Sequence, residues 1–317
     1  MRMFRFPFRI LLLVLVTISC GHDQKLIEIK ELPAYPSASG IEYFNDQFFL
    51  IGDDANHILI LDSNLSTKDS LPLYSFETKR ISKEIKPDLE SITLFRNKNT
   101  PTLLLLGSGS TLLRNTGWLI NTRTKEKDSI RLDTFYQRLK LYGLDEINIE
   151  GVCFIPGYFV LSNRGHKGWP KNHLVFVRER FWNNQAQIPI TTIRIGANAD
   201  TSVFNGVSGL AYAAKGDRLI LTVSNEDTRS SYDDGAIGKS YLWIVDNISS
   251  KRGWKAINPN TIIDLEELDH RFKGHKIESV CITKEDKNFI YLVLAADDDK
   301  GSSTLFRVLY QKKIVSN

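Results

Sequence analysis

The chain has 317 residues, with 41 Lys and Arg against 37 Asp and Glu, a formal charge of +4. Three arginines in the first twenty residues supply most of that excess. The remainder is almost neutral, at +1, without a dense basic run, and a nucleic-acid-binding role is set aside on that ground. Three cysteines in this length make neither a disulfide framework nor a paired zinc pattern.

The chain opens with MRMFRFPFRILLLVLVTISC, in which arginines precede an apolar run from Ile10 to Val16 and small or polar residues lead to Cys20. The run is too short to span a bilayer and reads as an export signal. Thr17-Ile18-Ser19-Cys20 resembles a bacterial lipobox, with Thr17 where a larger aliphatic residue is usual. On that reading 1–20 is a lipoprotein signal ending in a lipidated cysteine, 21–24 is a tether, and 25–317 is one domain anchored in the cell envelope. A plain secretory signal is the alternative.

Five related stretches then recur: ASGIEYF at 38–44, DLESITL at 88–94, NIEGVCF at 148–154, VSGLAYA at 207–213 and KIESVCI at 276–282. Equivalent positions fall at 39, 90, 150, 208 and 278, the spacing of four-stranded propeller blades with variable loops. Each stretch is followed by a turn and a strongly apolar run: FFLI, TLLLL, YFVL, LILTV and IYLVL. Such runs suit strands buried on both faces. Third strands follow as ILILD, WLIN, HLVFV, YLWIVD and TLFRVL. Outer strands are expected at SLPLYSF, SIRLDTF, TTIRIG and TIIDLEEL. The fifth unit lacks an outer strand, and KLIEIKEL at 25–32 is free to complete it. The expected fold is therefore an all-β five-bladed propeller closed by its N-terminal strand, with no open sheet edge. A β-sandwich would not produce the recurrent stretch.

Inner strands of a propeller surround its axis, so Ser39, Glu90, Glu150, Ser208 and Glu278 are expected to form one ring. Three carboxylates in a narrow channel repel one another, and a hard cation with oxygen ligands removes the conflict. Calcium is the expected cofactor, since the ring offers no histidine or cysteine. Rim glutamates paired with lysines are the bland alternative. Cys153 and Cys281, each three residues after its ring glutamate, are expected to be buried free thiols.

Five blades with this ring order resemble the calcium-activated nucleotidases, or soluble apyrases. NDQFFLIGDD at 45–54, YFVLSNRGH with Arg164, and LILTVSNED with Glu226 and Asp227 carry the likeness further. Some uncharacterised bacterial propeller lipoproteins share this look. The resemblance implies one central calcium and hydrolysis of nucleoside di- or triphosphates. Asp53, Asp54, Arg164, Glu226 and Asp227 would then be the catalytic residues: Arg164 against charge on the transferring group, Glu226 or Asp53 orienting the water. The sequence departs from the family in GSGSTLLRN, which lacks a Gly-Lys-x-Trp segment, and in Ala55-Asn56, where the family has arginine after the aspartates. His166, Lys167, Trp169, Arg229, Asp297 and Asp298 are expected around the same mouth. A phosphorylated small molecule is the expected partner, with no nucleic acid and no membrane contact beyond the lipid anchor. A non-catalytic envelope-binding propeller with a structural calcium is the alternative, and a glycosidase a weaker one.

Overall fold

The computed structural model describes residues 24–76, 78, 80–196, 204–226, 237–298 and 301–312. Blade 1 consists of the strands Ala38–Phe44, Gln47–Gly52, His57–Asp62 and Thr67–Pro72. Blade 2 follows with Leu89–Asn97, Thr100–Gly107, Thr116–Asn121 and Lys127–Arg131. Blade 3 is built from Ile149–Ile155, Tyr158–Asn163, Asn172–Arg178 and Ile190–Ile195. Blade 4 takes Asn205–Ala213, Arg218–Glu226, Ile237–Asp246 and Thr261–Asp264. Blade 5 has Lys276–Glu285, Phe289–Asp297 and Ser303–Gln311, and Gln24–Leu32 is its outer strand.

That last pairing closes the ring. Gln24–Leu32 runs antiparallel to Ser303–Gln311 from Gln24 opposite Tyr310 to Leu32 opposite Ser303, so the two ends of the fold are held in one sheet. The inner strands touch in the order 1-2-3-4-5-1. Blade 3 carries one addition, the two-residue strand Ala256–Ile257, which pairs in parallel with Ile190–Ile195 and covers its edge.

The apolar runs do what their composition demands. Leu103, Leu104, Leu105 and Leu106 are all buried, with alternate side chains entering the interfaces with blade 1 and blade 3. Five such interfaces make five apolar layers around the axis. In the layer between blades 2 and 3, Phe95 meets Phe159 edge-on at 5.1 Å and Trp182 at 5.7 Å. Each buried aromatic there contributes on the order of 2 kcal/mol. Cys153 and Cys281 are buried free thiols in two different layers.

Three outer strands end earlier than their hydrophobic pattern suggests: the one expected at SLPLYSF (70–76) spans Thr67–Pro72, and two others run on into helices. The strand expected at SIRLDTF spans Lys127–Arg131, and Asp133–Leu141 is a helix, α1. Leu132, Phe135, Tyr136 and Leu139 recur at helical spacing and bury one face on the layer between blades 2 and 3. In TIIDLEEL the strand stops at Asp264, whose side chain caps a short helix, Leu265–Leu268, by accepting from the Glu266 and Glu267 amides. In both segments a short-range capping or i, i+3 pattern outcompetes strand propensity.

A candidate axial site

Every inner strand is irregular where the ring residue stands. Register shifts fall between Ala38 and Gly40, Leu89 and Ser91, Ile149 and Gly151, Val207 and Leu210, and Ile277 and Ser279. A bulge takes one residue out of the ladder, so Ser39, Glu90, Glu150, Ser208 and Glu278 sit where side chains need not follow the alternation of the strand. This is why an acid is tolerated at the start of an otherwise apolar strand. The residue after the bulge must be small because neighbouring inner strands approach closely. A Cβ on Gly151 would lie 2.4 Å from the Ser208 carbonyl. Hydroxyl groups tie strand to strand at this level: Ser39 Oγ donates to Leu89 O (2.5 Å), Ser162 Oγ to Ser208 O (2.6 Å) and Thr222 Oγ1 to Glu278 O (3.1 Å).

Among these five, the structure treats the two sides of the ring differently. On one side the guanidinium of Arg164, only 5 % exposed, enters the ring itself. Its Nη1 lies 3.2 Å from Ser208 Oγ, 3.4 Å from Glu150 Oε2 and 3.7 Å from Glu278 Oε2, while Nη2 donates to Ser224 Oγ at 3.1 Å. Gly206 makes room for it, since a Cβ there would stand 2.4 Å from Arg164 Nε. Asn148 Nδ2 donates to Glu150 Oε1 (2.6 Å) and Lys276 Nζ pairs with Glu278 Oε1 (2.8 Å).

On the other side Asp53, Asp88 and Glu90 bring one carboxylate oxygen each within 4.8 Å of one another. Lys86 pairs with Asp53 and, at 2.9 Å, with Asp88. Arg114 reaches the second oxygen of Asp88 at 2.9 Å, and Ser108 Oγ donates to the same atom at 2.6 Å. Asp88 holds φ at +55°, a conformation that costs an L residue roughly 1 kcal/mol. Asp53 Oδ1 is buried and takes no hydrogen bond among the described residues.

These placements set the electrostatics. Burial, with Asp88, Glu150 and Asp53 close by, pushes the Glu90 carboxyl well above its ordinary range, against the pull of Lys86. Burial also raises Asp53, to about 6, again opposed by Lys86. For Lys86, burial acts downward but the attraction of Asp53, Asp88 and Glu90 outweighs it, and the ammonium is held more firmly than usual. The three carboxylates of the triad thus face two cations, Lys86 and Arg114, and the Glu90 proton is held more firmly than that of an ordinary carboxyl.

The remaining expected residues divide. Asp54 turns from the axis: its Oδ2 accepts from Arg80 Nε at 2.6 Å and its carbonyl from the Ile81 amide. Arg164 lies in the ring rather than at the mouth. His166 pairs with Glu146 at 2.6 Å and Trp169 Nε1 donates to Asp145 at 3.3 Å, so both belong to the rim of blade 3. Asp298 accepts from the Ser302 amide within its own loop. Glu226 ends its strand opposite Ile237, and its side chain lies outside the description, as do Asp227 and Arg229. Asp88 and Lys86 were not foreseen. A signal for Asp88 existed: two residues before each ring position stand Ser37, Asp88, Asn148, Gly206 and Lys276, and four of these adjoin the ring or its arginine.

The fold is shared with known structures. Myxococcus xanthus glutaminyl cyclase superposes with a TM-score of 0.52 at 11 % identity, over 92 % of this chain and 97 % of that one. A Bacteroides fragilis protein matches at 0.44 and 10 % identity, over 92 % and 96 % of the two chains. Streptogramin B lyase matches at 0.41 and 11 %, over 89 % and 98 %. At 11 % identity the likeness to the cyclase is one of fold alone. A comparison with curated proteins finds none that matches. Residues 34–309 match a family of unknown function, DUF6929, and the chain belongs to that family.

Proposed function

We propose that this propeller binds a divalent cation at the upper end of its axis, held by Asp53, Asp88 and Glu90, and that calcium is the ion. The meeting of three carboxylates from three separate chain positions within 4.8 Å supports this most directly. The donor set fits: oxygen ligands only, an Asp53 oxygen buried without a hydrogen bond among the described residues, and a Glu90 carboxyl whose ionisation burial and neighbouring carboxylates oppose. Glu150, Ser208 and Glu278 are served by Arg164 instead, which narrows the five-residue ligand ring expected from the sequence to one side. A cation so placed supplies positive charge for a phosphorylated small molecule approaching the mouth.

Hydrolysis of a phosphoanhydride is the second reading, and the Asp53–Lys86 pair favours it. A carboxylate that can orient water there stands beside an ammonium that can meet phosphate charge. The arginine assigned to transition-state charge by resemblance is engaged in the ring, and Asp54 is engaged by Arg80, which weakens that part of the apyrase likeness. Calorimetric titration with calcium and magnesium tests the cation, and phosphate release from nucleoside di- and triphosphates tests the reaction. Heat of binding without turnover leaves a ligand-binding propeller; calcium-dependent turnover lost in Asp53→Asn makes it a hydrolase. Absence of calcium binding overturns both.

A further inference from the structure

The end of the propeller opposite the axial site has a charge of its own. Inner strands start at the upper end, so the turns from first to second and from third to fourth strands all lie at the lower end. Lys98, Arg123, Arg180, Lys215, Arg252 and Lys287 come from six of those turns, in four different blades, and all six are exposed. None of them is in an ion pair among the described residues. Exposed acids in the same turns are Asp46, Glu126 and Glu179. The basic residues are far apart in sequence, which is why no charge run announces them. The fold collects them.

Two further observations show what this surface faces. Trp254 is 54 % exposed in the longest of these turns, next to Arg252 and Lys255. Its ring has Lys251 Nζ 5.8 Å from the centroid. An exposed tryptophan among cations suits the headgroup level of a bilayer, where its ring is buried and its N–H stays wet. Gln24, the first described residue, also lies at this end, opposite Tyr310.

We infer that the lower end docks on an anionic phospholipid surface, with Trp254 entering the interface and the axial mouth pointing away from it. Each Lys or Arg close to such a surface strengthens binding about fivefold, and the gain is screened by salt. The surface does not depend on whether Cys20 carries lipid, nor on what the axial site binds.

The test is co-sedimentation of the full-length chain with vesicles of phosphatidylcholine alone or with phosphatidylglycerol at one third. At 0.1 M salt the anionic vesicles should be preferred by a factor on the order of 100 or more. Arg123→Glu, Arg180→Glu, Lys215→Glu and Lys287→Glu together should abolish that preference while leaving the melting temperature and any calcium response intact; Arg252, whose guanidinium lies 4.1 Å from the Tyr158 ring centroid, is left in place. Trp254→Ala should weaken binding severalfold, including at high salt. Equal binding to both vesicles, a preference retained by the charge-reversed protein, or tighter binding to a DNA duplex than to anionic vesicles in the same buffer would overturn the inference.

Discussion

The two sides of the axial ring solve the same electrostatic problem by different means. Around Glu150 and Glu278 the compensating charge is covalent: Arg164 reaches in from the segment after the second strand of blade 3 and is held by two carboxylates and two hydroxyls. Around Asp53, Asp88 and Glu90 the chain supplies Lys86 and Arg114, and burial with the neighbouring carboxylates still opposes ionisation of Glu90. One side has Arg164 within the ring and Lys276 beside it, although Glu278 Oε2 is buried without a hydrogen bond among the described residues. The other is suited to an added cation. A repeated backbone device, the bulge, thus presents equivalent positions to unequal chemistry, and the inequality comes from loops outside the repeat.

The largest effect expected is from Arg164→Ala. Removing the arginine leaves two partly buried carboxylates facing each other, and stability should fall by about 3–5 kcal/mol in chemical denaturation. If the loss is below about 1 kcal/mol, Arg164 is not the charge that completes its side.

A background titration has to be subtracted before the sides are compared across pH. Burial, helped by Arg194 and Lys171, lowers His173 to about 4. A depressed histidine is neutral in both states above the unfolded value near 6.5, so its full contribution is present there. As pH falls the unfolded chain gains the proton first, and stability drops between about 6.5 and 4, by at most about 3 kcal/mol. Denaturation series for the wild type and His173→Gln should diverge only in that window.

Gly206→Ala tests the arginine without removing it. The added methyl would stand 2.4 Å from Nε, so the guanidinium must shift, at a cost of about 1–3 kcal/mol. A loss no greater than that of a surface substitution would show that the ring geometry is loose. Glu90→Gln is the smallest change in stability, within about 1 kcal/mol of wild type in chelator, because the amide keeps the shape of the carboxyl and burial already disfavours its charge. Its effect belongs in cation binding.

Much of the fold was legible because the inner-strand stretch repeats. That repeat carried the blade count and the closure by Gln24–Leu32, and it put Ser39, Glu90, Glu150, Ser208 and Glu278 at equivalent irregularities of their strands. What lay outside it was harder to read. Asp54 reads as a catalytic acid of the mouth until Arg80, 26 residues later, is seen to take it. Lys86 meets Asp53 across 33 residues, and no pattern links them in sequence. Arg164 reads as a rim residue because nothing local shows that Gly206, on another blade, vacates the space it fills. The strand ends at Arg131 and Asp264 were obscured because apolar residues continue past both into helices.

The most direct measurement is the calcium-induced rise in melting temperature of the wild type, Glu90→Gln and Glu150→Gln, each against chelator. With calcium at about a hundred times its dissociation constant, the wild type should rise by about 5 °C. Glu150→Gln should keep most of that rise and Glu90→Gln should lose it. No rise in the wild type, or a rise abolished by Glu150→Gln but kept by Glu90→Gln, would contradict a cation on the Asp53, Asp88 and Glu90 side.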